Sequence, residues 1–146
     1  MNMFWASSRA AAVCLAASLT LAFAMSAPGA IAQQTNEPFE PYSGQAGKDV
    51  VWMPTPDKSL EMTLNLAGLN PSDYVIDLGS GDGRTVIAAA RRGARGHGVE
   101  FNPKMVDYAR KRAQEAGVAD RAQFIEGDMF VADISKATVM PLFLLT

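Results

Sequence analysis

Val75-Ile76-Asp77-Leu78-Gly79-Ser80-Gly81-Asp82-Gly83-Arg84 sets an acid and three alternating glycines where an apolar run gives way to a helix. Glycine at every second position permits a tight turn and lets a ligand approach bare main chain. A helix starting there adds free N–H groups and a partial positive charge. Spacing narrows the choice of ligand. A dinucleotide loop takes glycine at its first, third and sixth positions, and the sixth counted from Gly79 is Arg84. Asp77, two residues before Gly79, would repel a diphosphate and suits a cationic amino group. Two further acids follow in order. Glu100 stands about 20 residues downstream at the end of a second apolar run, where a carboxylate can accept from both ribose hydroxyls. Asp128, in Glu126-Gly127-Asp128-Met129, follows a third run. It can accept from an adenine amino group, and Met129 can cover the base.

The elements that must position these residues are legible from apolar spacing. Pro56 suits a first helical position with Thr55 as its cap. Leu60, Leu64 and Ala67 then share a helix face, and Gly68 is a stop. Tyr74–Leu78 reads as a strand buried on both faces. A helix over 85–92, a strand over 96–101, a helix over 103–116 and a strand over 122–125 follow. The apolar run 137–145 reads as a fourth strand, with Pro141 inside it removing a ladder donor. This alternation predicts a parallel sheet covered by helices. The first strand should be central, with the second and third stepping away to one side.

Composition removes several chemistries. Arg9 precedes an almost unbroken apolar stretch from Ala10 to Met25, and Ala30-Ile31-Ala32 offers small residues at a cleavage site. Residues 1–32 therefore read as a signal peptide, with export to the periplasm. An uncleaved inner-membrane anchor is the alternative, and it would give a membrane association. Residues 33–49 read as a linker and residues 50–146 as the folded domain. Cys14, the one cysteine, falls inside the apolar stretch, so the exported chain has no thiol for a disulfide, a metal site or a nucleophile. His97 is the one histidine, read as a surface or strand-edge residue, and no metal site is expected. Beyond residue 32 there are 12 basic residues against 15 acidic, a net charge of −3 without a basic stripe, which disfavours a nucleic-acid partner.

The run Asp77–Gly83 resembles the first motif of class I S-adenosylmethionine (SAM) dependent methyltransferases, and Glu100 and Asp128 match that family's ribose and adenine acids. SAM has a cationic amine and a sulfonium and no phosphate, as the loop requires. The resemblance implies a Rossmann-like α/β fold of seven strands, of which residues 50–146 would supply the first four. It implies SAM as cofactor, held by Asp77, Gly79, Ser80, Gly81, Gly83, Glu100, Asp128 and Met129. Trp52-Met53-Pro54-Thr55-Pro56, Gly79–Arg84 and Ala137-Thr138-Val139 together look like small membrane-associated protein-lysine methyltransferases. Some of these act on mitochondrial carriers and rotary ATPase subunits. In them the Pro-Thr segment folds over the cofactor, which would add Thr55 to its contacts and make the acceptor a protein lysine. No catalytic residue is named. Two other readings stand beside this one: an NAD(P)-type oxidoreductase, which Glu100 alone would suit, and an exported binding module without catalysis. The residues also have plainer roles open to them: Asp77 tying down loop N–H groups, Glu100 a solvated strand end, Asp128 a turn acid, Thr55 a helix cap and Trp52 a packing residue.

Overall fold

A computed structural model of the chain describes residues 38–144. The expected signal peptide, and Cys14 within it, lie outside the described residues. α1 spans Asp57–Leu66, β1 Tyr74–Leu78, α2 Arg84–Arg91, β2 Arg95–Glu100, α3 Pro103–Glu115 and β3 Ala122–Glu126, followed by a 3-10 turn over Met129–Val131. The three strands form one parallel sheet in the order β1-β2-β3.

β1 forms because Val75 and Ile76 are buried completely, one toward each face. α2 and α3 turn one apolar stripe each inward. Val86, Ile87, Ala90, Val106, Ala109 and Ala113 close around Phe124 of β3. Asn102 caps α3 by accepting from the Lys104 N–H at 3.0 Å, and Pro103 fills the first helical position. α1 buries Leu60 and Leu64 and is tied to the end of α2 by Arg92, which bonds Asn65 Oδ1 at 2.8 Å and Glu61. No helix among the described residues is long and apolar enough to cross a membrane.

Three expectations are corrected. Among the described residues, the four-strand reading becomes three strands and a single bridge. Thr138 and Val139 donate to the Tyr74 carbonyl at 2.9 and 3.3 Å, and Ile76 donates to the Val139 carbonyl at 3.1 Å. Only Val139 pairs, in parallel with Val75. Pro141, two residues on, has no N–H to continue the ladder. Thr55 does not cap α1. Pro56 is extended at ψ 139° and holds the cap position itself. Its carbonyl accepts from Leu60 N–H at 2.9 Å, so Thr55 lies one residue too early. His97 is not at a strand edge. It lies in β2, the middle strand, half-buried, with its Nδ1 3.1 Å from the Tyr74 hydroxyl.

The bridge at Val139 fixes the most useful property of the sheet. β2 lies on one side of β1 and Val139 on the other. The order of the chain therefore reverses at β1, and ligands of open α/β sheets bind beyond the carboxyl ends of strands at such a point.

Candidate functional site

The glycine loop leaves β1 at that reversal. Gly79, Gly81 and Gly83 have φ of 74°, 53° and 78°, the left-handed region that side chains rarely adopt. Two of them are also fixed by space. A Cβ on Gly83 would sit 2.5 Å from the Phe124 ring and 2.8 Å from the Ala109 Cβ. A Cβ on Gly81 would collide with the Trp52 indole nitrogen. The loop therefore packs against the core on one side and against Trp52 on the other.

Most of the loop's N–H groups are already used. Gly79 and Ser80 donate to the Val99 carbonyl at 2.8 and 3.0 Å, and Gly83 donates to the Ser80 carbonyl at 2.9 Å. Gly81 donates to Glu100 Oε2 at 3.0 Å. A diphosphate is normally held by free N–H groups at such a loop. Here four of them are engaged and acids stand close by, which suits a cation and not a diphosphate.

Four acids surround the loop. Asp77 is buried under it, and its carboxyl is pushed up to about 7, first by loss of solvent and then by Asp82 and Glu100, with a Thr85 hydrogen bond pulling the other way. Glu100 accepts from Gly81 with one oxygen and from the Asn102 N–H with the other, at 2.9 Å. It joins the glycine loop to the start of α3. Asp82 is 5% exposed and is gripped by Arg84 Nε and Nη2 at 3.0 and 2.8 Å and by Arg112 Nη1 at 2.5 Å. Arg84 also donates to the Thr55 carbonyl at 2.9 Å, clamping the entry to α1 onto the loop. Asp128 accepts from Phe130 N–H at 3.0 Å and pairs with Lys48 at 2.6 Å, which holds its carboxyl below the usual carboxylate range.

A cavity of about 270 Å³ opens at the carboxyl end of the sheet. The segment Gln45–Met53 forms part of its wall, and Gly79, Val99, Glu100, Phe101, Met105, Asp128 and Met129 also line it. Met129 Sδ lies 4.0 Å from where a Gly79 Cβ would be. Of the residues picked out from sequence, the cavity thus gathers Gly79, Glu100, Asp128 and Met129. Asp77, Ser80, Gly81 and Gly83 belong to the loop and strand beneath and do not line it. The Ser80 side chain is buried against Gly98 of β2. Thr55 lies outside the cavity, held by Arg84. Sequence reasoning missed Asp82, Lys48 and Gln45. An acid flanked by glycines and followed by arginine was the available sign for Asp82. Lys48 gave none, because its partner is 80 residues away in the chain.

The acceptors and spacing of this site fit a cationic nucleoside, and comparison with known proteins agrees. Residues 77–146 match the model of the ANTKMT methyltransferase domain. A protein-lysine N-methyltransferase of Saccharolobus islandicus is 40% identical over 99 residues, 66% of this chain and 62% of that protein. A human lysine N-methyltransferase named for ATP synthase is 36% identical over 92 residues, 63% of this chain and 39% of that one. The crystal structure of an RNA methyltransferase from Salinibacter ruber, in complex with S-adenosylhomocysteine, is 55% identical. It superposes with a TM-score of 0.63 over 64% of this chain and 61% of that one. A SAM-dependent methyltransferase from Geobacter sulfurreducens, also with S-adenosylhomocysteine, is 36% identical with a TM-score of 0.54 over 58% of this chain and 35% of that one. The chain spans less than two thirds of the length of each of these relatives. In sequence over residues 77–146 and in fold, the chain is similar to class I SAM-dependent methyltransferases.

Proposed function

We propose that the chain binds SAM in this cavity and takes part in methyl transfer to a protein lysine amine. The observation that carries the first half is the hydrogen-bonding state of the glycine loop. Four of its N–H groups are engaged, and the acceptors Glu100 and Asp128 line the cavity together with the Gln45–Met53 segment. When bound, SAM supplies a methyl group already activated by its sulfonium. Methyl transfer to lysine forms a C–N bond and breaks the C–S bond, and the amine gives up its proton. The chain's own residues orient. Glu100 takes the ribose hydroxyls, Asp128 and Met129 take the adenine, and Gly79 leaves room for the amino-acid end above Asp77. Holding reactants in line is worth up to roughly 7–11 kcal/mol of barrier in favourable cases.

The lysine acceptor is supported by two relatives that are lysine N-methyltransferases. The acidic balance of the chain beyond residue 32 adds to it, since RNA binding relies on a basic surface. The Salinibacter ruber relative makes RNA the competing acceptor. The test supplies radiolabelled SAM with lysine-containing protein extracts, and separately with total RNA. Label in lysine is expected. Label in RNA alone would transfer the reading to nucleic acid, and bound SAM without label in either would favour a binding module without catalysis. We also take residues 1–32 as an export signal, with a retained anchor as alternative. Fractionation of cells expressing the tagged chain separates periplasmic from membrane-bound product.

A further inference from the structure

The wall made by Gln45–Met53 is held in an uneven way. Its two ends are pinned to each other: Gly44 N–H donates to the Trp52 carbonyl at 2.8 Å, and Trp52 N–H donates to the Gln45 carbonyl at 2.8 Å. Both ends are also anchored to the body. The buried Gln45 amide donates to Met105 Sδ at 3.1 Å, and the Trp52 indole lies against Gly81. Between these pins, residues 46–51 make one polar side-chain contact to the rest of the described residues, Lys48 with Asp128 at 2.6 Å. The Lys48 ammonium also lies 5.0 Å from the centroid of the Phe101 ring. The two partners of the ion pair are 37% and 33% exposed. An exposed pair of this kind is weak and screened by salt.

This contact occupies the acid that the SAM reading assigns to adenine. One oxygen of Asp128 holds Phe130 N–H and the other holds Lys48. A base that reaches Asp128 must therefore displace Lys48, and the pinned ends leave Lys48 as the place where the segment can give.

We propose that residues 45–53 are a strap, fixed at Gln45 and Trp52 and latched by Lys48 on Asp128, and that the base of the incoming nucleoside displaces Lys48 from Asp128. The inference rests on the SAM reading of the cavity. The latch keeps Asp128 occupied in the empty site, and breaking it limits the rate at which the base is seated.

Stopped-flow tryptophan fluorescence with S-adenosylhomocysteine tests this on the full chain, wild type against Lys48→Met and Lys48→Arg. Lys48→Met is expected to associate a few-fold faster at low salt, with the wild type approaching it in 0.5 M NaCl, about where screening is strong. Lys48→Arg keeps the pair and should behave as wild type. Normal binding by all three at one rate, with no dependence of the wild-type rate on salt, overturns the latch and leaves the cofactor reading standing. Absence of binding in the wild type and both variants overturns the cofactor reading and the latch with it.

Discussion

Asp77→Asn separates what this fold needs from what its site needs. Asp77 is 8% exposed, with its carboxyl raised from 3.8 to about 7. An acid raised on folding favours the folded chain when protonated. That advantage is complete below pH about 4 and is lost as pH rises through 7, where the fold must carry a buried carboxylate. At about 1.4 kcal/mol per pH unit of displacement, the penalty at pH 8 is on the order of 4 kcal/mol as an upper figure. At pH 5 it is less than half of that. Asparagine has nearly the same shape and no charge to bury. Asp77→Asn should therefore be more stable than the wild type at pH 8 by roughly 1–4 kcal/mol, with a smaller gain at pH 5. Urea unfolding at both pH values, followed by circular dichroism, measures this. The same variant should lose affinity for S-adenosylhomocysteine at pH 8, because the negative charge beneath the loop that receives the ligand's amino group is gone. A variant less stable than wild type at pH 8, or a gain equal at both pH values, would refute the reasoning about burial. Unchanged ligand affinity would refute the assigned role.

Three further substitutions probe separate parts. Gly83→Ala puts a methyl group into Phe124 and Ala109 at a positive φ, and a loss of about 2–4 kcal/mol is expected in the same unfolding assay. Glu100→Gln keeps one backbone contact and weakens the charged acceptor, so affinity for S-adenosylhomocysteine should fall roughly 10- to 100-fold by calorimetry, the range for a lost charged hydrogen bond. Leu64→Ala empties a fully buried site where α1 meets the body, with an expected cost of about 2–5 kcal/mol and little effect on ligand affinity per folded molecule.

The parts of the fold legible in the sequence were those with a short-range period. Tyr74–Leu78 is apolar enough to be buried on both faces, and Met105, Val106 and Ala109 mark the inner side of α3 at helical spacing. The glycine loop was legible because its residues are contiguous and its chemistry is main-chain. The 137–145 run showed the opposite outcome. Its composition suits a strand, but pairing needs donors, and Pro141 leaves Val139 alone on β1. The strap was not legible. Gln45 to Asp49 contains glycine and charge without periodicity, so it read as a linker, and the order of the strap comes from Met105, Gly81 and Asp128, all far along the chain. Asp82 was concealed in the same way. Local spacing exposes Arg84, whereas the grip of Arg112 depends on how α3 packs beside the loop.

The central claim is that this cavity is built for a cationic sulfur nucleoside and not for a dinucleotide. Isothermal titration of the full chain with SAM, S-adenosylhomocysteine and NADH tests it in one series, with Glu100→Gln as the control for location. One-to-one binding of the two sulfur nucleosides is predicted, weakened in Glu100→Gln, with no heat from NADH. Binding of NADH in their place, or nucleoside binding that Glu100→Gln leaves intact, would contradict the claim.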